Sequence, residues 1–205
     1  MNPNFLLLPQ DRQLTIINAG FKVFAFNSYK KAPVAEIAKE ADISKSLLFY
    51  HFKNKKDLYL YLWKVTIETT RKQLAKDKVM ETSDLFEMMK RSLHGKCEVM
   101  RKYPYMAEFS IKAYYEQEPE IAELIQKDFA RLAKDSQRKV LEIIDVSCFS
   151  KEMDIAYMYQ EMIWAADGYL HMAYAGGIPD PDKVEMEFSR LIEFWKSVYR
   201  KKDIE

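Results

Sequence analysis

Residues 34–58 read VAEIAKEADISKSLLFYHFKNKKDL, and the spacing of their apolar residues decides the fold. Ile37, Ala38, Ala41, Ile43 and Leu48 fall at the inward positions of two short helices joined by a tight turn. Helices that cross steeply need a small residue where they touch, and Ala38 supplies it. The turn needs a residue that enters the left-handed region; Asp42 is one of the few side chains besides glycine that does so. Ser44 then caps the second helix, leaving Lys45, Ser46, Leu47, Tyr50 and His51 to face outward. Lysine and histidine suit phosphates, hydroxyls suit phosphates or base edges, and a small apolar group suits a thymine methyl. Taken one at a time, the same residues are ordinary helix core and a solvated basic face, so the rest of the chain has to weigh in.

Charge does so by its distribution. Over 205 residues the formal charge is only +1, yet residues 1–58 carry nine Lys and Arg against five Asp and Glu, leaving the remainder acidic. A basic front on a mildly acidic body points to a polyanionic partner for the front alone. Two cysteines, Cys97 and Cys148, cannot staple a chain of this length and read as free thiols. The apolar run Phe5 to Leu8 is too short for a signal-peptide core, and no stretch approaches a membrane span, so a cytoplasmic protein without a membrane partner is expected.

Only five glycines and seven prolines occur, at breaks between patterns of period 3.6, which predicts an all-α chain of about nine helices. Leu14, Ile17, Phe21 and Phe24 mark a first helix over about 10–27. Pro33 suits the first turn of a second, to about 40; a third follows over about 44–51, and Asn54 caps a fourth reaching the seventies. Thr82 or Ser83 is expected to cap a fifth ending near Tyr103. Pro104 opens a sixth to about Gln117, and Pro119 a seventh to about Val146. The eighth and ninth cover about 152–175 and 181–202, separated by Gly176 to Pro181, which cannot remain helical. The expected division is a three-helix helix-turn-helix domain, 1–53, followed by a helical bundle, 54–205.

At this point the chain resembles the TetR family of bacterial transcriptional regulators. The resemblance runs over roughly residues 11–63: Ile17, Ala19-Gly20 and Phe24, then Val34 to Ala38, then Ile43-Ser44-Lys45-Ser46-Leu47-Leu48-Phe49-Tyr50-His51-Phe52-Lys53-Asn54-Lys55-Lys56-Asp57-Leu58. It implies an N-terminal DNA-binding unit and a C-terminal body that dimerises and holds an effector. Carried over by position, it assigns DNA contacts to Val34, Lys45, Ser46, Leu47, Phe49, Tyr50, His51 and Lys55. Lys55 would meet a phosphate at the N-terminal turn of the fourth helix. The chain departs from the family where Ser28, Asp42 and Ser46 replace usual glycines, where Phe49 replaces a tyrosine, and where Leu47 replaces a small polar residue. Phe49 therefore lacks a phosphate-bonding hydroxyl, and Leu47 can offer only methyl contact.

The resemblance also implies dimerisation through the last two helices. Ile155, Tyr159, Met162, Ala166, Tyr169 and Ala173 recur at spacings of four and three, and Val184, Phe188, Leu191, Trp195 and Val198 do likewise, which predicts the seam of a homodimer. The alternative is a pair of core-facing helices in a monomer. Methionines and aromatics crowd residues 86–170; any one of them at helical spacing is more often plain core, but the resemblance implies a cavity for a small apolar or aromatic effector. The candidates are Tyr103, Met106, Tyr114, Phe129, Met162 and Tyr169.

His94 and Cys97 share a helix face, but two ligands without a third make no metal site, and no cofactor is expected. Glu116, Glu118 and Glu120 around Pro119 read as surface charge, and no phosphate loop or nucleophile arrangement suggests an enzyme. The expected function is a ligand-responsive regulator, a repressor, binding a palindromic double-stranded operator as a homodimer and released by its effector. The alternative is a helical carrier or partner-binding protein whose front no longer touches DNA.

Overall fold

A computed structural model describes residues 1–201. Nine α-helices and no sheet occur among the described residues: α1 (Gln10–Phe26), α2 (Val34–Glu40), α3 (Lys45–His51), α4 (Lys55–Lys76), α5 (Leu85–Lys102), α6 (Met106–Tyr115), α7 (Pro119–Ile143), α8 (Ile155–Ala175) and α9 (Pro181–Tyr199). The helices form two compact units. The first comprises Met1–Thr69 with Lys102–Ala130, and the second Thr70–Arg101 with the described residues from Arg131 onward. Along the chain α4 and α7 each pass from one unit into the other.

The first unit is built on an aromatic cluster. Phe24 meets Tyr59 at 4.8 Å, Tyr59 meets Phe109 at 4.9 Å and Phe21 meets Phe109 at 5.2 Å, all between ring centroids and all buried, so α1, α4 and α6 share one core. Such tilted and edge-on pairs add about 0.5–1.5 kcal/mol each to the burial of their area. Gly20 makes the close approach of α1 to α4 possible, because a Cβ there would stand 2.8 Å from Leu62 Cδ1. A short 3₁₀ turn, Pro3–Leu7, precedes α1.

In the second unit carboxylates supply the caps. Asp84 caps α5 by accepting from the N–H groups of Phe86 (2.9 Å) and Glu87 (3.2 Å), Asp154 caps α8, and Asp180 caps α9. The expected Thr82 or Ser83 cap is thus displaced: Thr82 Oγ1 accepts from Asp84 N–H at 3.2 Å and Ser83 gives its carbonyl to Asp145 N–H at 2.8 Å. Pro104 lies in a turn closed by Met106 N–H on Tyr103 O rather than inside α6. The eighth helix starts three residues later than about 152, because Asp154 is its cap. The ninth ends at Tyr199, where Arg200 turns extended and Lys201 N–H bonds Cys148 O at 2.9 Å; the expected end near 202 lies outside the described residues. Phe188 packs against Tyr169 (5.4 Å) and Trp195 (5.9 Å), fixing α9 on α8.

Candidate nucleic-acid interface

The turn between α2 and α3 has the geometry its sequence predicts. Asp42 adopts φ 51°, in the left-handed region, and Ile43 N–H returns to Ala38 O at 3.0 Å. Ala38 is buried where the helices cross. Ser44 has extended backbone and its Oγ accepts from Leu47 N–H at 3.1 Å, satisfying one of the first-turn donors that a helix leaves unpaired. Ile37, Ala41, Leu48 and Phe52 are all buried, and they hold α3 on the body of the unit.

On the other side, Lys45 and Ser46 are exposed, Leu47 is 41% exposed and Tyr50 53%. Phe49 is half-buried, with Lys45 Nζ 5.9 Å from its ring centre, and Val34 is half-buried at the first turn of α2. Lys55 follows Asn54, whose Oδ1 caps α4 by accepting from Asp57 N–H at 2.8 Å. Its ammonium donates to Lys30 O at 3.0 Å and sits 4.9 Å from the Tyr29 ring centre. Lys55 therefore ties down the loop between α1 and α2 and at the same time carries its charge at a helix N-terminus.

His51 does not face outward as expected. It is 3% exposed, and neither ring nitrogen has a hydrogen-bond partner within the chain. Leu48, His51 and Phe52 are three and four residues apart, so they share the inward face of α3. The 3₁₀ turn closes over that face: Phe5, fully buried, meets His51 at 5.5 Å and Phe52 at 4.9 Å. Burial holds the imidazole below its ordinary pKa and keeps it neutral. This N-terminal segment is absent from the site read out of the sequence, where Phe5 to Leu8 is only an apolar run. The signal for it is Asn2-Pro3, a capping residue followed by a proline at the first helical position.

Two of the three glutamates around Pro119 are more than plain surface charge. Glu116 Oε2 accepts from Tyr29 N–H at 2.8 Å and Glu120 Oε2 from the Tyr29 hydroxyl at 2.9 Å, joining the α6–α7 turn to the α1–α2 loop inside the first unit.

Of the effector candidates, Tyr103, Met106, Tyr114 and Phe129 belong to the first unit, Met162 and Tyr169 to the second. Tyr103 and Met106 are buried, Tyr103 against Phe21 at 6.0 Å. Tyr114 and Phe129 meet as a tilted ring pair at 4.5 Å and stay more than a third exposed. Met162 is buried, and the Tyr169 hydroxyl donates to Glu187 Oε2 at 2.8 Å. His94 Nδ1 pairs with Glu185 at 2.8 Å; among the described residues no group of three or more metal-binding side chains forms.

The stripe expected as the dimer seam is largely covered by its own chain. Tyr159, Met162, Val184, Phe188 and Trp195 are buried within the chain, while Ile155, Ala166, Tyr169, Ala173 and Leu191 are half-buried, so this stripe is the face with which α8 and α9 fold onto their own unit. Only Val198 is open, at 54%. Other exposed apolar residues are Tyr157, Ile163, Trp164 and Met172 on α8, and Met186 and Phe194 with Val198 on α9. At about 100° per residue, Tyr157 and Trp164 fall roughly opposite the buried stripe, with Ile163 and Met172 on its flanks. Gln160, Asp167 and His171 share that side of α8 with Tyr157 and Trp164, so the open face is only partly apolar.

Two short helices crossing at a small residue, with cationic and hydroxyl side chains outward, form a helix-turn-helix of the kind that enters a major groove. Residues 16–62 match the family model for bacterial regulatory proteins of the tetR family, so the resemblance read from the same stretch holds over the segment that carries it. A fatty acid metabolism regulator protein of Bacillus subtilis (strain 168) is 36% identical over 53 residues, which is 26% of this chain and 27% of that one; the match therefore spans about a quarter of the relative.

Among solved structures, a TetR family transcriptional regulator of Chloroflexus aurantiacus J-10-FL aligns with a TM-score of 0.67 at 18% identity, covering 98% of this chain and 99% of that one. The ketosteroid transcriptional regulator KstR2 of Mycobacterium tuberculosis aligns at 0.69 and 15% identity over 95% and 97%. A putative fatty acid metabolism regulator of Clostridium perfringens aligns at 0.63 and 19% identity over 87% and 96%. At these identities the likeness establishes the all-helical fold. Among the described residues no helix is long and apolar enough to cross a membrane.

Proposed function

We propose that the chain is a transcriptional regulator, a repressor, that binds palindromic operator DNA as a homodimer and lets go when a small apolar or aromatic effector enters its body. The observation that carries this is the outer face of α3, where Lys45, Ser46, Leu47 and Tyr50 stand exposed on a buried support. Residues 1–53 are the reading head and 54–205 the effector-binding and dimerising part. Val34 and Phe49 border that face, and Lys55 offers charge at the start of α4.

One α3 reads only a few base pairs, so two copies about one duplex turn apart are needed to read a palindrome. The exposed apolar face of α8 and α9, with Trp164, Met172 and Phe194 open to solvent, supports such a pairing. Release requires an effector that binds the DNA-incompetent arrangement better than the competent one. Inside the first unit α6 packs on α1, and Glu116 and Glu120 hold Tyr29, so a shift of α6 or the start of α7 reaches the reading head directly. Relatives described as fatty acid regulators favour an effector with an acyl chain.

The test is to select a duplex of about 30 bp from a randomised pool with the purified protein and to follow binding by fluorescence anisotropy. Affinity is expected to fall steeply with salt, and Lys45→Ala to lower the slope of log Kd against log salt by about one. Binding indifferent to both salt and Lys45 would refute the reading.

A further inference from the structure

The N-terminal 3₁₀ turn does more than bury Phe5. Asn2 N–H donates to His51 O at 2.7 Å and Asn2 Nδ2 donates to Tyr50 O at 3.3 Å, so the segment satisfies carbonyls that the C-terminal end of α3 leaves without helical partners. Phe5 anchors it, with its ring among His51, Phe52 and Tyr61 (5.4 Å), and Gln13 Nε2 ties its far end to α1 through Leu8 O at 2.8 Å. From this fixed base Asn4 reaches round to the outer face: its Nδ2 donates to the Tyr50 hydroxyl at 2.7 Å. Asn4 and Tyr50 are both exposed and 46 residues apart in sequence.

An exposed tyrosine on a seven-residue helix ordinarily samples more than one rotamer, and its hydroxyl can donate or accept in any direction. The bond from Asn4 removes both freedoms. It holds the ring in one position and occupies an acceptor site of the oxygen, which turns the phenolic hydrogen away from the protein. A group whose one remaining proton points outward is a donor waiting for an acceptor, and on duplex DNA the acceptors are phosphate oxygens and the O6, N7 and O4 edges of the major groove.

We infer that Asn4 is a positioning residue for recognition: it sets Tyr50 as a fixed hydrogen-bond donor to DNA, so that the N-terminal turn is a working part of the reading head although it lies outside the helix-turn-helix. This rests on the proposed DNA-binding function. Asn4 acts through Tyr50, and its effect on binding is therefore conditional on the Tyr50 hydroxyl.

The experiment is a double-mutant cycle with full-length protein and a fluorescein-labelled duplex recovered by the wild type from a randomised pool, read by anisotropy at several salt concentrations alongside thermal unfolding. Asn4→Ala and Tyr50→Phe are each expected to weaken binding about threefold to tenfold, the range of one ordinary hydrogen bond. The double variant is expected to bind no more weakly than Tyr50→Phe. Both unfolding temperature and salt slope should stay at the wild-type value, because the bond is exposed and neither group is an ion; a general distortion of α3 would lose lysine–phosphate contacts and flatten the slope.

Asn4→Asp is isosteric but can only accept, so it draws the Tyr50 proton inward; it should fall below Asn4→Ala, with its added charge subtracted by measuring it in the Tyr50→Phe background. Wild-type affinity in Asn4→Ala, full additivity of the two losses, or a flattened salt slope would each overturn the inference. Failure of the wild type to recover any duplex is a separate result that removes the DNA-binding reading, and this inference with it.

Discussion

The Tyr29 hydroxyl donates to Glu120 Oε2 at 2.9 Å, while the Tyr29 backbone N–H donates to Glu116. Two carboxylates from one turn thus hold one loop residue by both its ends, and the Lys55 ammonium lies over its ring at 4.9 Å from the centre. The arrangement needs a neutral phenol. Burial first, then the bond to Glu120 and that carboxylate's charge, push the Tyr29 hydroxyl well above the ordinary tyrosine range. Burial does the same to Tyr59, whose ring packs 5.2 Å from that of Tyr29.

A raised folded-state pKa means that the associated stability is complete below the ordinary value near 10 and drains away as pH climbs past it. Tyr29→Phe is expected to cost about 1 kcal/mol in urea denaturation at neutral pH, because a hydrogen bond to a carboxylate is lost while Glu120 can rehydrate. The difference from wild type should shrink once unfolded chains ionise their tyrosines. An undiminished gap at high pH would show that the hydroxyl is not what matters.

His51 runs in the opposite sense. Burial lowers its pKa below the ordinary 6.5, so folded chains resist a proton that unfolded ones accept, and stability is lost as pH falls through that value. Because both ring nitrogens are buried without partners, His51→Leu removes a desolvation cost, and it is expected to match or exceed wild-type stability at pH 7.5 by up to about 1 kcal/mol. Its advantage should widen toward pH 5. The measurement is chemical denaturation of both proteins at a series of pH values; a constant difference would remove His51 from the acid limb.

The helix-turn-helix is legible in the sequence because each of its signals is local. Ser44 caps, Ala38 permits the crossing and Asp42 takes the left-handed turn without help from distant residues. His51 is misread because a residue that meets Leu48 at three positions and Phe5 across the fold looks, in isolation, like a basic group at a helix end. The open face of α8 is harder still. Tyr157 and Tyr159 are both large and apolar, and only the folded chain decides which is covered. Candidate effector residues suffer from the same ambiguity, since Met162 and Tyr103 serve the core as readily as they would a ligand.

Asp42 marks a place where the chain departs from the best local choice. A side chain at φ 51° crowds the following carbonyl, a cost glycine does not carry. Asp42→Gly should therefore raise stability by roughly 0.5 kcal/mol and Asp42→Val should lower it by 1 kcal/mol or more, about the spread expected for this region. The two variants bracket the turn: equal melting temperatures would mean that the backbone relaxes elsewhere.

Trp164 and Trp195 separate assembly from folding. Trp195 is 2% exposed and packs on Phe188, whereas Trp164 is 58% exposed with Tyr157 beside it at 6.1 Å. Trp195→Ala leaves a cavity and is expected to cost about 3–5 kcal/mol, lowering the melting temperature whatever the oligomeric state. Trp164→Glu puts a charge on the open face; in sedimentation-velocity runs the wild type is expected to sediment as a dimer and this variant as a folded monomer, with binding to a palindromic duplex weakened far more than to a single half-site. The reverse pattern, with the Trp164 variant still dimeric, would return the pairing surface to the stripe that runs through Met162 and Phe188.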